Sequence, residues 1–184
     1  MLTIGALGAG ALLAMGVYRR EVARVDHGVA GIEWHAEPRR LPALRFVDAS
    51  GASTSLAGFR GRAVVLNFWA TWCPPCGAEM PSLERLQAAL GGPHFQVVAV
   101  SIDAEGMAVV EPYLRALGIT RLRAWHDAFH DADALVGAGI PLTLLVDAQG
   151  REVARRRGPT RWDDAAVTEL IRRRLLALPT PAAG

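Results

Sequence analysis

The chain has 184 residues, which suits one domain plus a short additional segment. Apolar residues make up 51% of the sequence, ample for a core, and a net charge of +2 gives no argument for nucleic-acid binding. The 2 cysteines are too few for a framework of several disulfides.

The chain opens with an uncharged, mostly apolar run at residues 2–18, followed by Arg19 and Arg20. Its length is at the lower limit for a membrane span, about 17 residues. Three interpretations of residues 1–20 stay open: an uncleaved signal-anchor, a cleaved signal peptide and a buried core helix. No basic residue precedes the run, so the positive-inside rule alone would leave the rest of the chain in the cytoplasm.

Mixed polar sequence at residues 21–40 predicts a linker. The folded domain is predicted over 41–178, and the Pro/Ala-rich residues 179–184 are expected to form a disordered tail. The domain begins with a predicted hairpin over residues 44–56, in which an alternating strand, a Ser-Gly turn and a returning strand follow one another.

Both cysteines, Cys73 and Cys76, lie in the stretch Asn-Phe-Trp-Ala-Thr-Trp-Cys-Pro-Pro-Cys-Gly-Ala-Glu-Met-Pro at residues 67–81. An apolar, strand-like run at 63–66 precedes it. Apolar residues at helical spacing follow it: Met80, Leu83, Leu86 and Leu90. The pattern therefore predicts that Cys73 lies at the N-terminus of a helix, just past the end of a strand.

This position predicts redox chemistry for the two thiols. The free N–H groups and the dipole of a helix N-terminus favour a thiolate, which is the nucleophilic form of cysteine. Cys76 follows one turn later, close enough to close a small disulfide. We expect Cys73 to attack a partner's disulfide and Cys76 to resolve the mixed disulfide.

Three other interpretations of the cysteines compete with this one. A structural zinc site needs two more ligands, and the chain has no second cysteine pair. A peroxidatic site built on Thr71 and Cys73 is weaker, because Cys76 is well placed as a resolving thiol. Inert buried cysteines are disfavoured by the close spacing at a helix start.

Alternating strands and helices follow the cysteine motif. The near-continuous apolar run at 95–102 predicts a central strand, and residues 104–117 predict an amphipathic helix. This alternation implies parallel neighbouring strands. Pro81 predicts a kink in the first helix, unless it begins a separate helix.

Two histidines four residues apart, His126 and His130, follow a possible short strand at 122–125. On a helix they could bind a metal, but no strong third ligand is evident in the sequence. Helix capping by Asp127 or Asp131 explains the segment without a metal.

The C-terminal part predicts a hairpin and a helix. A buried strand begins at Pro141 and ends near Asp147, and residues 151–157 return as the last strand. Residues 162–178 predict an amphipathic helix whose inward residues are Val167, Leu170, Ile171, Leu175 and Leu178.

The motif Asn-Phe-Trp-Ala-Thr-Trp-Cys-x-Pro-Cys, followed by Glu79 and Pro81, resembles the active site of the thioredoxin superfamily. It resembles most the TlpA/ResA/DsbE (CcmG)-like branch of membrane-anchored thiol–disulfide oxidoreductases. The resemblance covers about residues 41–175. It implies an α/β, thioredoxin-like fold, with a central mixed sheet flanked by helices and an added N-terminal β-hairpin.

The resemblance also implies the site. It implies a redox-active disulfide between Cys73 and Cys76, with no other cofactor and no metal. It implies a cis bond between Ile140 and Pro141, with the backbone at residue 140 offered to the bound partner. Without the resemblance, an ordinary trans proline would be expected. The expected substrate-binding residues are Trp72, Pro74, Pro75, Ile140 and Pro141.

Exchange at neutral pH needs a group that accepts the proton of Cys76. Thioredoxins have a buried Asp in the strand before the motif, but the matching residue here is Asn67, which cannot titrate. Glu79 is the expected substitute, because it lies three residues after Cys76 on the same helical face. Burial should raise the pKa of Glu79. An exposed helix carboxylate without a role is the alternative.

The function implied is that of a dithiol–disulfide oxidoreductase that reduces disulfides of partner proteins outside the cytoplasm. The resemblance suggests apocytochrome c cysteines or the copper-centre cysteines of an oxidase as substrates, and a membrane thiol as electron donor. It implies a monomer, held in the inner membrane by residues 2–18, with the catalytic domain in the periplasm or cell exterior. The alternatives are a Cu(I) chaperone with Cys73 and Cys76 as soft ligands, and a generic cytoplasmic thioredoxin if the N-terminal segment is neither an anchor nor a signal peptide.

Overall fold

The computed structural model describes residues 30–177, which form one eight-stranded mixed sheet flanked by helices. The strand order across the sheet is β1-β8-β7-β4-β5-β6-β2-β3. The strands are β1 (Glu33–Arg40), β2 (Arg45–Val47), β3 (Ser53–Ser55), β4 (Ala63–Trp69), β5 (Phe95–Ser101), β6 (Ala124–His126), β7 (Leu142–Val146) and β8 (Arg151–Arg157).

Helices follow the strands. They are α1 (Pro74–Leu90), α2 (Met107–Ala116), α3 (Asp133–Val136) and α4 (Ala165–Ile171), which continues into a π-helical turn at Arg172–Leu176. A short 3-10 turn at Leu56–Phe59 precedes β4. One helix runs without interruption through Pro81, so the alternative of a separate helix starting there is wrong.

Apolar residues are buried on both faces of the sheet. One face carries the cluster that includes both cysteines, Met80 and Trp162, and the other carries Phe46, Phe68 and their neighbours. Every residue of the central strand β4 is buried, which is why its sequence is apolar on both faces.

The sheet topology places the cysteine motif at one edge. Strands β4, β5 and β6 are parallel, and their last residues Trp69, Ser101 and His126 lie in one row. β7 runs antiparallel to β4 and pairs Leu142 with Phe68. The loop that ends at Pro141 therefore lies at the same edge as the loop that leads into Cys73.

The expected mixed sheet with flanking helices is confirmed, and so is the added N-terminal hairpin. β2 and β3 pair as an antiparallel hairpin, which joins the sheet through a single pair between Val47 and His126. The predicted final hairpin is also present, because β7 and β8 pair antiparallel.

The predicted linker at 21–40 is wrong over its last eight residues, which form the edge strand β1. The sequence marks this strand only by a polar–apolar alternation over residues 33–38, and most of its residues are exposed and polar. It forms by antiparallel pairing with β8, with an irregular register between Trp34 and Arg39 that brackets Pro38. Proline is tolerated at such edge positions.

Two predicted helices are too long at their N-terminal ends. The helix predicted over 104–117 begins at Met107. The helix predicted over 162–178 begins at Ala165, because Asp164 caps it by accepting a hydrogen bond from the Ala166 N–H. Trp162 therefore lies in a loop, where its side chain is fully buried.

The predicted N-terminal segment 1–20 and the tail 179–184 lie outside the described residues. Within residues 30–177, no helix combines the length and apolar character that crossing a bilayer requires.

Candidate active site

Cys73 occupies the N-cap position of α1, as the sequence predicts. Its Sγ accepts a hydrogen bond from the backbone N–H of Cys76 at 3.3 Å. The two residues between them, Pro74 and Pro75, have no N–H to donate, and proline is well suited to the first helical positions. The first N–H of the helix is thus directed at the Cys73 sulfur, where it favours negative charge.

Cys73 and Cys76 are joined in a disulfide. Both are nearly buried, with exposed fractions of 5% for Cys73 and 0% for Cys76. Of the two cysteines, Cys73 is the one with some surface exposed to a partner.

The bond between Ile140 and Pro141 is cis, as the resemblance implies. The carbonyl oxygen of Ile140 lies 4.0 Å from the Cys73 Sγ. The other expected binding residues surround the same spot: Trp72 is 62% exposed, and Pro74 and Pro75 are exposed. An apolar surface with one backbone acceptor therefore adjoins the reactive sulfur.

Glu79 is buried in α1, so the alternative of an exposed carboxylate is wrong. Three donors hold its carboxylate. Asn67 Nδ2 donates to Oε1 at 2.8 Å. The backbone N–H of Thr160 donates to Oε2 at 3.0 Å, and Trp162 Nε1 donates to the same oxygen at 3.2 Å.

Burial raises the pKa of Glu79 to about 7, although its three hydrogen bonds and the charge of Arg156 pull in the opposite direction. A carboxylate with this pKa exchanges protons near neutral pH, where thiols do. Glu79 lies three residues after Cys76 on the same helix, α1.

Asn67 stands directly opposite Thr143 in the sheet and donates through Nδ2 to the Thr143 Oγ1 at 2.9 Å. The same amide group donates to Glu79, so it links the carboxylate to the strand that follows Pro141. Asn67 Oδ1 is buried and accepts no hydrogen bond from the described residues. Asn67 thus orients Glu79 and does not titrate.

Asp103 anchors the loop that leads into Cys73. Its carboxylate accepts hydrogen bonds from the Thr71 N–H at 3.0 Å, the Thr71 Oγ1 at 2.6 Å and the Ser101 Oγ at 2.7 Å. Thr71 therefore serves as a structural contact, which removes the basis for a peroxidatic pair with Cys73.

Sequence reasoning missed three residues of this site: Asp103, Thr160 and Trp162. The position of Asp103 could have been predicted from the sequence. Asp103 follows β5, which is parallel to β4, so it lies at the same edge of the sheet as the loop that leads from β4 to Cys73. Thr160 and Trp162 carried no such signal, since they approach Glu79 from more than 80 positions along the chain.

The two histidines do not form a metal site with their neighbours. His126 Nε2 contacts the carbonyl oxygen of Asp103 at 2.9 Å, whereas the His130 side chain is largely exposed and lies 3.7 Å from Asp133. Asp127 accepts hydrogen bonds from the backbone N–H groups of residues 131 and 132. In residues 30–177 no cluster of three or more His, Cys, Asp or Glu could hold an ion.

In a comparison with protein families, the chain matches the model described as Redoxin over residues 37–171. Among curated proteins, the chain is 34% identical to the thiol-disulfide oxidoreductase ResA of Oceanobacillus iheyensis over 104 residues, 56% of this chain and 53% of that protein. It is 27% identical to the ResA of Bacillus subtilis over 124 residues, 67% of this chain and 69% of that protein. The first of these alignments thus spans about half the length of the relative.

Solved structures give a longer overlap. The fold matches a thiol:disulfide interchange protein DsbE from Chlorobium tepidum with a TM-score of 0.62, at 27% identity, over 77% of this chain and 96% of that one. It matches a DsbF homologue from Corynebacterium diphtheriae with a TM-score of 0.62, at 26% identity, over 79% of this chain and 95% of that one. The fold is therefore the thioredoxin-like fold of the TlpA/ResA/DsbE-like proteins.

Proposed function

The chain belongs to the Redoxin family, and from that premise we propose that it is a thiol–disulfide oxidoreductase that reduces disulfides of partner proteins. The observation that carries the proposal is the Cys73–Cys76 disulfide at the helix N-terminus, with the Cys73 Sγ 4.0 Å from the carbonyl oxygen before cis Pro141. The relatives named thiol-disulfide oxidoreductase support it.

The reaction runs from the dithiol form. The Cys73 thiolate attacks one sulfur of the partner's disulfide, which breaks that bond and releases one partner sulfur as a thiolate that takes up a proton. Cys76 then loses its proton to Glu79 and attacks the Cys73 Sγ. The bond between Cys73 and the partner breaks, and the second partner sulfur leaves. Two electrons have passed to the partner, and the protein holds the Cys73–Cys76 disulfide.

Partner binding uses the surface around Cys73. A partner strand that lies along Ile140 donates a backbone N–H to its carbonyl oxygen. The exposed Trp72, Pro74 and Pro75 supply apolar contact around the partner's sulfur. These contacts recognise an extended segment and leave its side chains largely unspecified, which fits substrates that are incompletely folded.

We place the catalytic domain outside the cytoplasm, with residues 2–18 as the inner-membrane anchor and a membrane thiol as the donor that reduces the Cys73–Cys76 disulfide again. Support comes from the apolar run in the sequence and from the similarity to ResA and DsbE proteins.

Apocytochrome c and the copper-centre proteins of oxidases are the proposed substrates, and the domain acts as a monomer. A fusion of alkaline phosphatase to the C-terminus tests the location: activity supports export, and a silent fusion contradicts it.

Trapping tests the function most simply. The variant Cys76→Ser cannot resolve the mixed disulfide, so partner proteins should stay bonded to Cys73 and separate on reduction. The matched control Cys73→Ser should trap none, although it also keeps one cysteine. Equal trapping by both variants, or by neither, would contradict the assignment of roles.

Glu79→Gln tests the proton acceptor. The amide keeps the shape of the side chain but cannot accept the Cys76 proton, so reduction of a protein disulfide such as that of insulin should slow about 10-fold or more at pH 7. The circular dichroism of the variant should match the parent. Unchanged kinetics would remove Glu79 from the mechanism.

Among residues 30–177, no contact favours Cu(I) carriage by the two cysteines. Met80, the nearest thioether in sequence, is fully buried in the core. Running the insulin assay with and without a copper chelator separates the two functions, because a reductase keeps its rate.

A further inference from the structure

Arg156 extends a polar row across the sheet beneath α1. It pairs with Thr143 of β7, which in turn pairs with Asn67 of β4. Directly opposite residues of antiparallel strands project to the same face. The three side chains therefore share the face on which Glu79 lies, and Arg156 stands at the outer end of the row.

The guanidinium of Arg156 holds the loop that covers Glu79. Its Nε donates to the Thr160 Oγ1 at 2.8 Å, and its second terminal nitrogen donates to the Pro159 carbonyl at 3.1 Å. The same loop supplies the Thr160 N–H and the Trp162 Nε1 to the Glu79 carboxylate. One arginine thus fixes the segment from which two of the three donors to Glu79 come.

The start of the described chain passes close to the Arg156 guanidinium. Gly31 has a φ of +62°, and a Cβ added there would lie 2.9 Å from Arg156 Nη1, so glycine is required for this approach. Thr160 Oγ1 also donates to the Ala30 carbonyl at 3.4 Å. A cavity of about 470 Å³ opens beside Arg156 and Thr160, so this end of the row borders solvent.

Arg156 is the charged group that acts on the Glu79 carboxylate. β4 and β7 contribute the neutral Asn67 and Thr143 to this face. On the covering loop, Arg161 is exposed and Asp163 is paired with Arg85 of α1 at 2.7 Å. In α1 itself, the Glu84 carboxylate is occupied by the backbone N–H groups of residues 120–122. The charge of Arg156 lowers the pKa of Glu79, against the effect of burial.

We propose that Arg156 is a positioning residue of the exchange reaction: it holds the 158–162 loop, which supplies two of the three donors, on the Glu79 carboxylate that receives the Cys76 proton. The inference rests on the proposed role of Glu79. It assigns a role in catalysis to a strand residue that lies away from the cysteine motif and has no contact with the sulfurs.

The test compares Arg156→Met with Arg157→Met. Both variants remove one positive charge from β8, but Arg157 pairs with Leu142 and so faces the other side of the sheet. The Glu79 carboxyl is titrated by ¹³C NMR in the oxidised protein, and the pH profile of insulin reduction is recorded separately. We expect Arg156→Met to raise the pKa of Glu79 by about one pH unit, and Arg157→Met to leave it unchanged.

The exchange rate should follow the titration. A rise of about one pH unit cuts the ionised fraction of Glu79 at pH 7 about five-fold, and the rate at pH 7 falls by a similar factor. Arg156→Lys keeps the charge and one donor, so it should recover most of both readouts. If Arg156→Met does not fold, Arg156→Gln replaces it in both measurements, because glutamine keeps a donor for Thr160 but has no charge.

A Glu79 titration that is the same in Arg156→Met, Arg156→Gln and the parent would overturn the inference. A shifted titration with an unchanged exchange profile would show that Arg156 acts on Glu79, but it would contradict the role of Glu79 in the proposed function and, with it, the part of Arg156 in the exchange. The two failures are therefore distinguishable.

Discussion

At the scale of single residues, the second cysteine is enclosed by a close approach between two helices. Gly77 follows Cys76 in the first turn of α1, and a Cβ added to it would lie 2.1 Å from the Tyr113 hydroxyl oxygen of α2. The Tyr113 ring also contacts Trp69 at the end of β4, with ring centroids 5.7 Å apart. The glycine after the motif is thus a packing requirement that α2 imposes on the active-site helix.

We predict that Gly77→Ala destabilises the oxidised protein by about 2 kcal/mol, because the methyl group forces Tyr113 out of its place. Adding Tyr113→Phe should restore most of this loss, since the nearest remaining ring atom lies 3.3 Å from the new Cβ. Urea unfolding of the two single variants and the double variant measures the coupling. Additive effects would show that Tyr113 is not the obstacle.

At the scale of elements, the sequence reveals most where an element is buried and least where it lies at an edge. β4 and β5 follow directly from apolar runs, and β8 follows from the turn that precedes it. β1 does not, because an edge strand is stabilised by backbone pairing and by contacts to residues far along the chain. Its His35 contacts Glu152 of β8 at 2.6 Å, and the ring of Trp34 lies under Arg174.

Glu152 is the residue that ties β1 to β8. Its carboxylate is 1% exposed and accepts hydrogen bonds from Arg155 Nε at 2.6 Å and Arg155 Nη2 at 2.8 Å, in addition to His35. Burial alone would raise the pKa of Glu152, but the hydrogen bonds outweigh it and leave the pKa below its usual value. The carboxylate thus stays charged within the β1–β8 pair.

We predict that Glu152→Ala costs about 3 kcal/mol of stability, because it leaves Arg155 without its partner in a poorly solvated place. Amide hydrogen exchange should accelerate most in β1, whose pairing depends on β8, and less in β7. Equal acceleration in both strands would contradict the view that Glu152 fastens β1 in particular.

At the scale of the whole molecule, the site is assembled from segments that only the fold brings together. The cysteine motif, the helix start and Pro141 were predictable, because each carries a local pattern or a family resemblance. The contacts of Thr160 and Trp162 with Glu79 could not be predicted, because they depend on how the segment before α4 crosses α1. The same segment was misassigned to a helix, because the predicted helix was started at Trp162 and not after Asp164, the residue that caps α4.

Glu79 makes the stability of the oxidised protein fall with rising pH. Its pKa is about 7 in the folded protein against a usual value of 4.5, so between these values the folded state binds more protons than the unfolded state. The carboxyl therefore opposes folding increasingly as pH rises through this window, by about 3 kcal/mol in total.

Glu79→Gln should remove this dependence, since the amide resembles the protonated carboxyl. We predict that the variant is more stable than the parent at pH 8 and nearly equal to it at pH 5, as measured by urea unfolding of the oxidised proteins. A difference between the two proteins that is the same at both pH values would show that Glu79 does not titrate in this window.

The most direct test of the account measures alkylation of the two thiols in the reduced protein. Mass spectrometry after brief treatment with iodoacetamide, over a range of pH, gives the rate at each sulfur. The account predicts that Cys73 reacts about 10-fold faster than Cys76 at pH 7. As the pH is raised, the Cys73 rate should reach its plateau before about pH 8, because the helix N-terminus favours the Cys73 thiolate. Faster reaction of Cys76, or a Cys73 rate that still rises above about pH 9 as for an ordinary thiol, would contradict it.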